Sequence, residues 1–356
     1  MISFVHSVLP SRVVFGAGAL EHLEREIALL GAERALVLST PGQQALAADV
    51  ARRLGPRCAG VFAKARMHVP IESAREASAE ARRLGADCAV AIGGGSTIGL
   101  AKAIALESAL AIIAIPTTYS GSEMTPIYGI TEAGLKKTGR DARVLPRTVI
   151  YDPQLTLALP VAVSVTSGIN AIAHAAEALY APDANPITSL IAEEGMRALA
   201  RGLPAVKRDP GDVEARGNCL YGAWLCGTAL GAVGMSLHHK LCHTLGGTFN
   251  LPHAETHTVV LPHALAYNRE AAGAAMGRIA AALGGDGGGS DAAGAVFDLA
   301  QRLGAPLSLK ELGMPAEGIE RAAELATQTP YSNPRPVERG AIRELLQHAY
   351  AGRRPG

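Results

Sequence analysis

Apolar residues follow two rhythms along this chain, and the change between them divides it. In the first half, short apolar runs alternate with amphipathic stretches. Residues 34–39, 58–63, 88–92, 111–115 and 148–151 each read as a strand buried on both faces. Residues 43–54, 71–84 and 98–107 carry helical patterns between them, and Gly85 closes the second. Strands alternating with helices of this length imply a parallel sheet covered on both sides. Past Asp152-Pro153 the strand signals vanish. Long Ala/Leu-rich helical patterns cover 164–181, 187–202, 213–235 and 271–283, and 284–290 reads as a flexible Gly-rich connection. The expectation is an α/β domain over 1–155 followed by an all-α domain over 156–356.

At 356 residues the chain is long enough for two such cores. A net charge of +1 and an aromatic content of 4% remove the basic surface and the stacking platform that nucleic-acid binding needs. Five scattered cysteines with no CxxC pair point to reduced thiols, with Cys242 as a small buried one. The opening stretch lacks a basic region followed by a long apolar run, and the most apolar stretch, 109–116, is too short to span a bilayer. A cytoplasmic protein with no membrane partner is expected.

Two turns carry candidate chemistry in the α/β half. Gly93-Gly94-Gly95-Ser96-Thr97 links a strand to a helix, where glycines admit a pyrophosphate close to the backbone and the opening N–H groups meet its charge. Thr117, Thr118 and Ser122 follow the next strand, with hydroxyls at the sheet's carboxyl edge; helix capping by Ser120 or Ser122 is the competing reading. Together they imply a Rossmann-like dinucleotide site. The first strand ends in Ser39-Thr40-Pro41 with no carboxylate to repel a 2′-phosphate, so NADH or NADPH should serve.

The helical half holds Asn170-Ala-Ile-Ala-His174, then His239-Lys-Leu-Cys-His243, then Leu251-Pro252-His253. Each four-residue spacing puts two polar side chains on one helical face. A single histidine in such a setting is usually a core residue, but five convergent polar residues flanked by apolar sequence read as a site.

These segments, with Pro116-Thr117-Thr118, Gly121-Ser122-Glu123 and Asp152-Pro153, resemble the iron-containing (group III) alcohol dehydrogenase family over nearly the whole chain. The resemblance implies its fold, shared with dehydroquinate synthase-like proteins, and a homodimer. In that family an Asp, two histidines and the His after Pro hold a divalent metal. Those positions here are Asn170, His174, His239 and His253, with His243 nearby. The chain departs from the pattern at Asn170, at Gly99, where many relatives carry Asp, and at His257.

The combination of 118–126, 170–174 and 251–257 is similar in particular to the maleylacetate-reducing branch of bacterial aromatic and chloroaromatic catabolism. That implies NAD(P)H-dependent reduction of maleylacetate, or of its 2-chloro analogue, to 3-oxoadipate. An amide offers a metal only a neutral oxygen, and a loss of ~3 kcal/mol weakens binding about a hundredfold. The metal set therefore reads as vestigial or weak, and a metal as unnecessary. An enone needs less Lewis-acid help than a simple ketone, because hydride addition delivers its charge to the conjugated oxygen. His243 or His253 then donates the proton, while His174 and His239 orient substrate. The dicarboxylate requires cations, for which Lys240, Arg335, Lys102, Lys136 and Arg143 are candidates. A metal-dependent alcohol or polyol dehydrogenase is the alternative, and a nicotinamide-binding sensor lies further off.

Overall fold

Strands without a polar face require cover above and below, and the α/β half supplies it. The computed structural model describes every residue except 1–3, 5, 7, 8, 10, 133, 134 and 285–290, together with the side chains of 135 and 136. Two units emerge, Val8–Leu159 and Pro160–Gly356.

In the first unit, β1 (Arg12–Phe15) and α1 (Leu23–Leu29) precede β2 (Ala35–Leu38), α2 (Gln44–Leu54), β3 (Cys58–Phe62) and α3 (Ile71–Arg83). There follow β4 (Cys88–Gly93), α4 (Gly95–Ser108), β5 (Ala111–Pro116), a hairpin of β6 (Ile127–Glu132) and β7 (Leu135–Arg140), and β8 (Thr148–Tyr151). Six strands pair in parallel in the order β1-β8-β5-β4-β2-β3. Chain order reverses between β2 and β4, the switch point outside which open α/β sheets take ligands. Both strands are fully buried, and Leu38 lies opposite Ala91. Val37, Val90, Ile92, Ile113 and Ile150 fill one core beneath the sheet. The edge strand β1 and the hairpin escape the apolar-run reading because neither is buried on both faces.

The second unit is helical throughout its described residues: α5 (Val161–Ala178), α6 (Pro186–Arg208), α7 (Val213–Ala232), α8 (Leu237–Phe249), α9 (His253–Asn268), α10 (Gly273–Ala282), α11 (Ala292–Leu303), α12 (Gly318–Thr327) and α13 (Arg339–Ala351). From Ser164 to Ala178 every residue of α5 is buried, so its polar side chains must find partners inside the protein. Asn250 turns the chain between α8 and α9 with a left-handed φ of 53°. Gly246 and Gly247, a few residues earlier, lie within α8 and do not make this turn. Beyond Gly284, the expected Gly-rich connection falls outside the described residues. No single helix among the described residues is long and apolar enough to cross a membrane.

Candidate active site

The helical unit gathers the histidines from three helices. Asn170, His174 and Glu177 share one face of α5, at spacings of four and three residues. His239 and His243 come from α8, and His253 and His257 open α9 one turn apart. Asn170 Nδ2 lies 3.3 Å from His174 Nε2, His174 Nδ1 lies 2.8 Å from His239 Nε2, and His239 Nδ1 lies 2.7 Å from Glu177 Oε2. The His174 and His239 rings stack at 5.0 Å. His257 sits amid the group, with ring centroids 4.3 Å from His253, 5.1 Å from His239 and 6.1 Å from His174. His243 stands edge-on to His239 at 6.2 Å.

The sites named from sequence thus converge, and burial separates them. Asn170, His174 and His239 are buried, whereas His243 and His253 are half-buried. Two buried atoms lack hydrogen-bond partners, Asn170 Oδ1 and His257 Nε2. Such orphans inside a polar cluster suit a bound ligand. Burial, followed by the charges of neighbouring histidines, holds His257 and His238 well below the ordinary histidine pKa, so both rings are neutral at pH 7.

Glu177 and His238 went unremarked in the sequence. Their only signal was periodic: Glu177 falls seven residues after Asn170, on the same face of α5. His238 Nε2 meets His257 Nδ1 at 2.9 Å, and Cys242 Sγ lies 3.7 Å from His238 Nε2. Among the described residues, His238, Cys242 and His257 form the one convergent trio of histidine, cysteine or carboxylate ligand atoms. Burial, then the Glu177 charge, pushes the Cys242 thiol far up, and the two rings share one hydrogen bond that leaves His257 Nε2 open. The trio joins α8 to α9 at the back of His257, and Cys242 is the buried thiol the sequence suggested.

The other candidate surface lies in the α/β unit. Gly93 has a φ of 153°, and a Cβ there would stand 2.4 Å from Thr97 Oγ1. At Gly94 a Cβ would meet Thr118 Cγ2 at 2.8 Å. Gly95 opens α4, with Ser96 and Thr97 in its first turn. The hydroxyls of Thr97 and Thr118 are buried without partners, and Thr117 accepts a 2.7 Å hydrogen bond from Gln43 Nε2. Gln43 ties the turn after β2 to the turn after β5; no motif marked it. A bare backbone at a helix N-terminus with orphaned hydroxyls around it fits the pyrophosphate of a dinucleotide. Ser39 is buried and gives its hydroxyl to the Thr40 carbonyl, and no carboxylate ends β2. Ser122 faces Lys102 with its carbonyl and hydroxyl.

That last contact corrects one expectation. Lys102 is no substrate cation: it is buried, and its ammonium donates to the carbonyls of Ser122, Thr125 and Ile127 at 2.7, 2.8 and 2.7 Å. Burial pulls its pKa down to about 7, opposed by the charge of Glu123. It pins the β5–β6 connection to α4. Arg143 is likewise engaged, with Asp141 and the Leu106 carbonyl. Lys136 lies outside the described side chains. In the helical unit, Lys240 stands over the Tyr331 ring and Arg335 over the Tyr267 ring.

Comparison with known proteins agrees with both halves. The pattern "Iron-containing alcohol dehydrogenase" matches residues 10–153, and "Fe-containing alcohol dehydrogenase family, C-terminal" matches 164–350. The chain belongs to the iron-containing alcohol dehydrogenase family. Within that family it is 66% identical to a maleylacetate reductase of Burkholderia cepacia over 100% of both chains. A crystal structure of maleylacetate reductase from Agrobacterium tumefaciens superposes with a TM-score of 0.94 at 57% identity, covering 100% of both chains. Another from Rhizobium sp. strain MTP-10005 gives 0.94 at 55% identity, also over 100% of both.

The family's name implies a metal, and the residues at its ligand positions do not fit one as they stand. His239 Nε2 is hydrogen-bonded to His174, and Asn170 presents its amide nitrogen to His174. Among the described residues, the convergent trio of ligand atoms lies instead at His238, Cys242 and His257.

Proposed function

We propose that this chain is an NAD(P)H-dependent maleylacetate reductase that works without a divalent metal. One observation carries the reading: the position where an anionic metal ligand would stand holds an amide that donates to His174 at 3.3 Å, closing a hydrogen-bond chain in which every ring nitrogen is matched. The 66% identity to the Burkholderia cepacia protein supports the substrate.

The substrate carries its own activation, a double bond conjugated to a ketone. When bound, the reduced nicotinamide supplies hydride to the carbon beta to that ketone. Charge moves to the ketone oxygen, and a proton added at the alpha carbon completes 3-oxoadipate. His243 and His253 are half-buried, so they can exchange protons with solvent, and one of them donates that proton. The neutral His257, with Nε2 unpartnered, suits the developing oxyanion. Lys240 and Arg335, each set over a tyrosine ring, are the candidates proposed for the substrate carboxylates. No acidic side chain ends β2, which supports use of both NADH and NADPH. Five free thiols suit a reducing cytoplasm, and a homodimer completes the proposal.

The test is NADH and NADPH oxidation with maleylacetate after exhaustive chelation. Full turnover is expected. Activity that tracks a stoichiometric metal, or turnover of simple alcohols in place of maleylacetate, selects the metal-dependent dehydrogenase instead.

A further inference from the structure

Glu177 gathers three N–H groups at the start of another helix. Its side chain is fully buried on α5. Oε2 accepts the Ser236 N–H at 2.9 Å and faces His239 Nδ1 at 2.7 Å, while Oε1 accepts the His238 N–H at 2.8 Å. It thereby caps α8, where Ser236 gives no side-chain cap of its own. Three N–H donors and the Tyr180 hydroxyl at 3.5 Å surround the carboxyl, which accepts at each contact.

That fixes the next links. His239 donates from Nδ1, and as a neutral ring it then carries a lone pair on Nε2. His174 Nδ1 lies 2.8 Å away and must be the donor to it. His174 Nε2 is then an acceptor, and it faces Asn170 Nδ2 at 3.3 Å. Three protons run in one direction, from Asn170 to Glu177, and the remaining amide atom, Asn170 Oδ1, has no partner.

We infer that Glu177 is the positioning residue of this site: it sets the His239 tautomer and, through His174, the orientation of the Asn170 amide. A consequence revises the roles suggested by sequence. With their N–H groups used inside the chain, His174 and His239 have no proton to offer a substrate, which leaves His243, His253 and His257 for the chemistry. The inference concerns the same site as the proposed function, and its rate arm rests on that reading; its spectroscopic arm does not.

The experiment is long-range proton–nitrogen NMR on enzyme labelled with 15N-histidine, without substrate, His239 being assigned from a His239→Gln control. Wild-type His239 should be neutral and protonated on Nδ1. Glu177→Gln replaces one oxygen with an NH2 group, and where it takes the Oε2 place it faces His239 as a donor, so His239 should move its proton to Nε2. Its kcat with maleylacetate should fall about 10–100-fold while KM changes less than ~3-fold. Glu177→Asp keeps the charge and should restore the Nδ1 tautomer and part of the rate. A wild-type His239 protonated on Nε2 overturns the inference even if the Gln variant does not fold. A folded Glu177→Gln protein with unchanged tautomer and kcat overturns it too. Wild-type enzyme inert toward maleylacetate would sink the functional reading alone, and the NMR result would still judge Glu177.

Discussion

Asn170→Asp is the sharpest perturbation of this site. The amide is 2% exposed and donates to a lone pair on His174. A carboxylate would place an acceptor against an acceptor, in a buried position where water cannot intervene. With both rings neutral, the chain closes again when the new carboxyl keeps a proton and donates it to His174. Holding that proton in the folded state costs about 1.4 kcal/mol for each pH unit above the ordinary aspartate pKa near 3.9. The loss is therefore about 4 kcal/mol at pH 7 and about 1.5 kcal/mol at pH 5. The sign follows because the folded-state pKa is raised: above pH 4 the unfolded chain has released a proton that the folded one retains, so stability falls as pH rises. For a helical unit of this size, the deficit at pH 7 lowers the melting temperature by about 10 °C. A divalent cation can replace the proton, so added zinc or iron should recover much of the loss, to an extent that grows with concentration. The assay is thermal unfolding of wild type and variant at both pH values, in chelator and in metal. A variant melting within about 2 °C of wild type at pH 7 in chelator, with no response to metal, would refute the directional chain.

Three further outcomes test other links. Gly94→Ala drives a methyl group into Thr118 within the glycine turn and should raise the KM for NADH about tenfold with a smaller change in kcat; equal cofactor KM values in steady-state assays would remove the turn from the cofactor site. Lys102→Met leaves three carbonyls, one buried and two partly buried, without their donor and should destabilise the α/β unit by about 3 kcal/mol in denaturant unfolding; a neutral result would show that water replaces the ammonium. Of His243→Ala and His253→Ala, one should cut kcat about 100-fold or more, and if both retain near-wild-type kcat, neither is the proton donor.

Spacing made much of the site legible. Side chains four apart share a helical face wherever the helix packs, so Asn170 with His174 and His239 with His243 could be paired before any coordinates. The β4 turn was readable because Gly93-Gly94-Gly95 punctuates an apolar run and a helix. Lys102 was misread because a lysine looks alike in sequence whether it ends in solvent or in a cage of carbonyls. Glu177 was invisible for a related reason. Its partners, Ser236, His238 and His239, lie about sixty residues on, at the start of another helix.

The sequence by itself determined the two-part architecture, the glycine turn, and an amide at position 170, because these depend on periodicity and residue type. Only the tertiary structure decided the order of the histidines, which of them are sealed from solvent, and which way the protons run. Those properties arise from α5, α8 and α9 meeting at hydrogen-bond distance. Directionality in such a chain is set at its far end, by a carboxylate that can only accept.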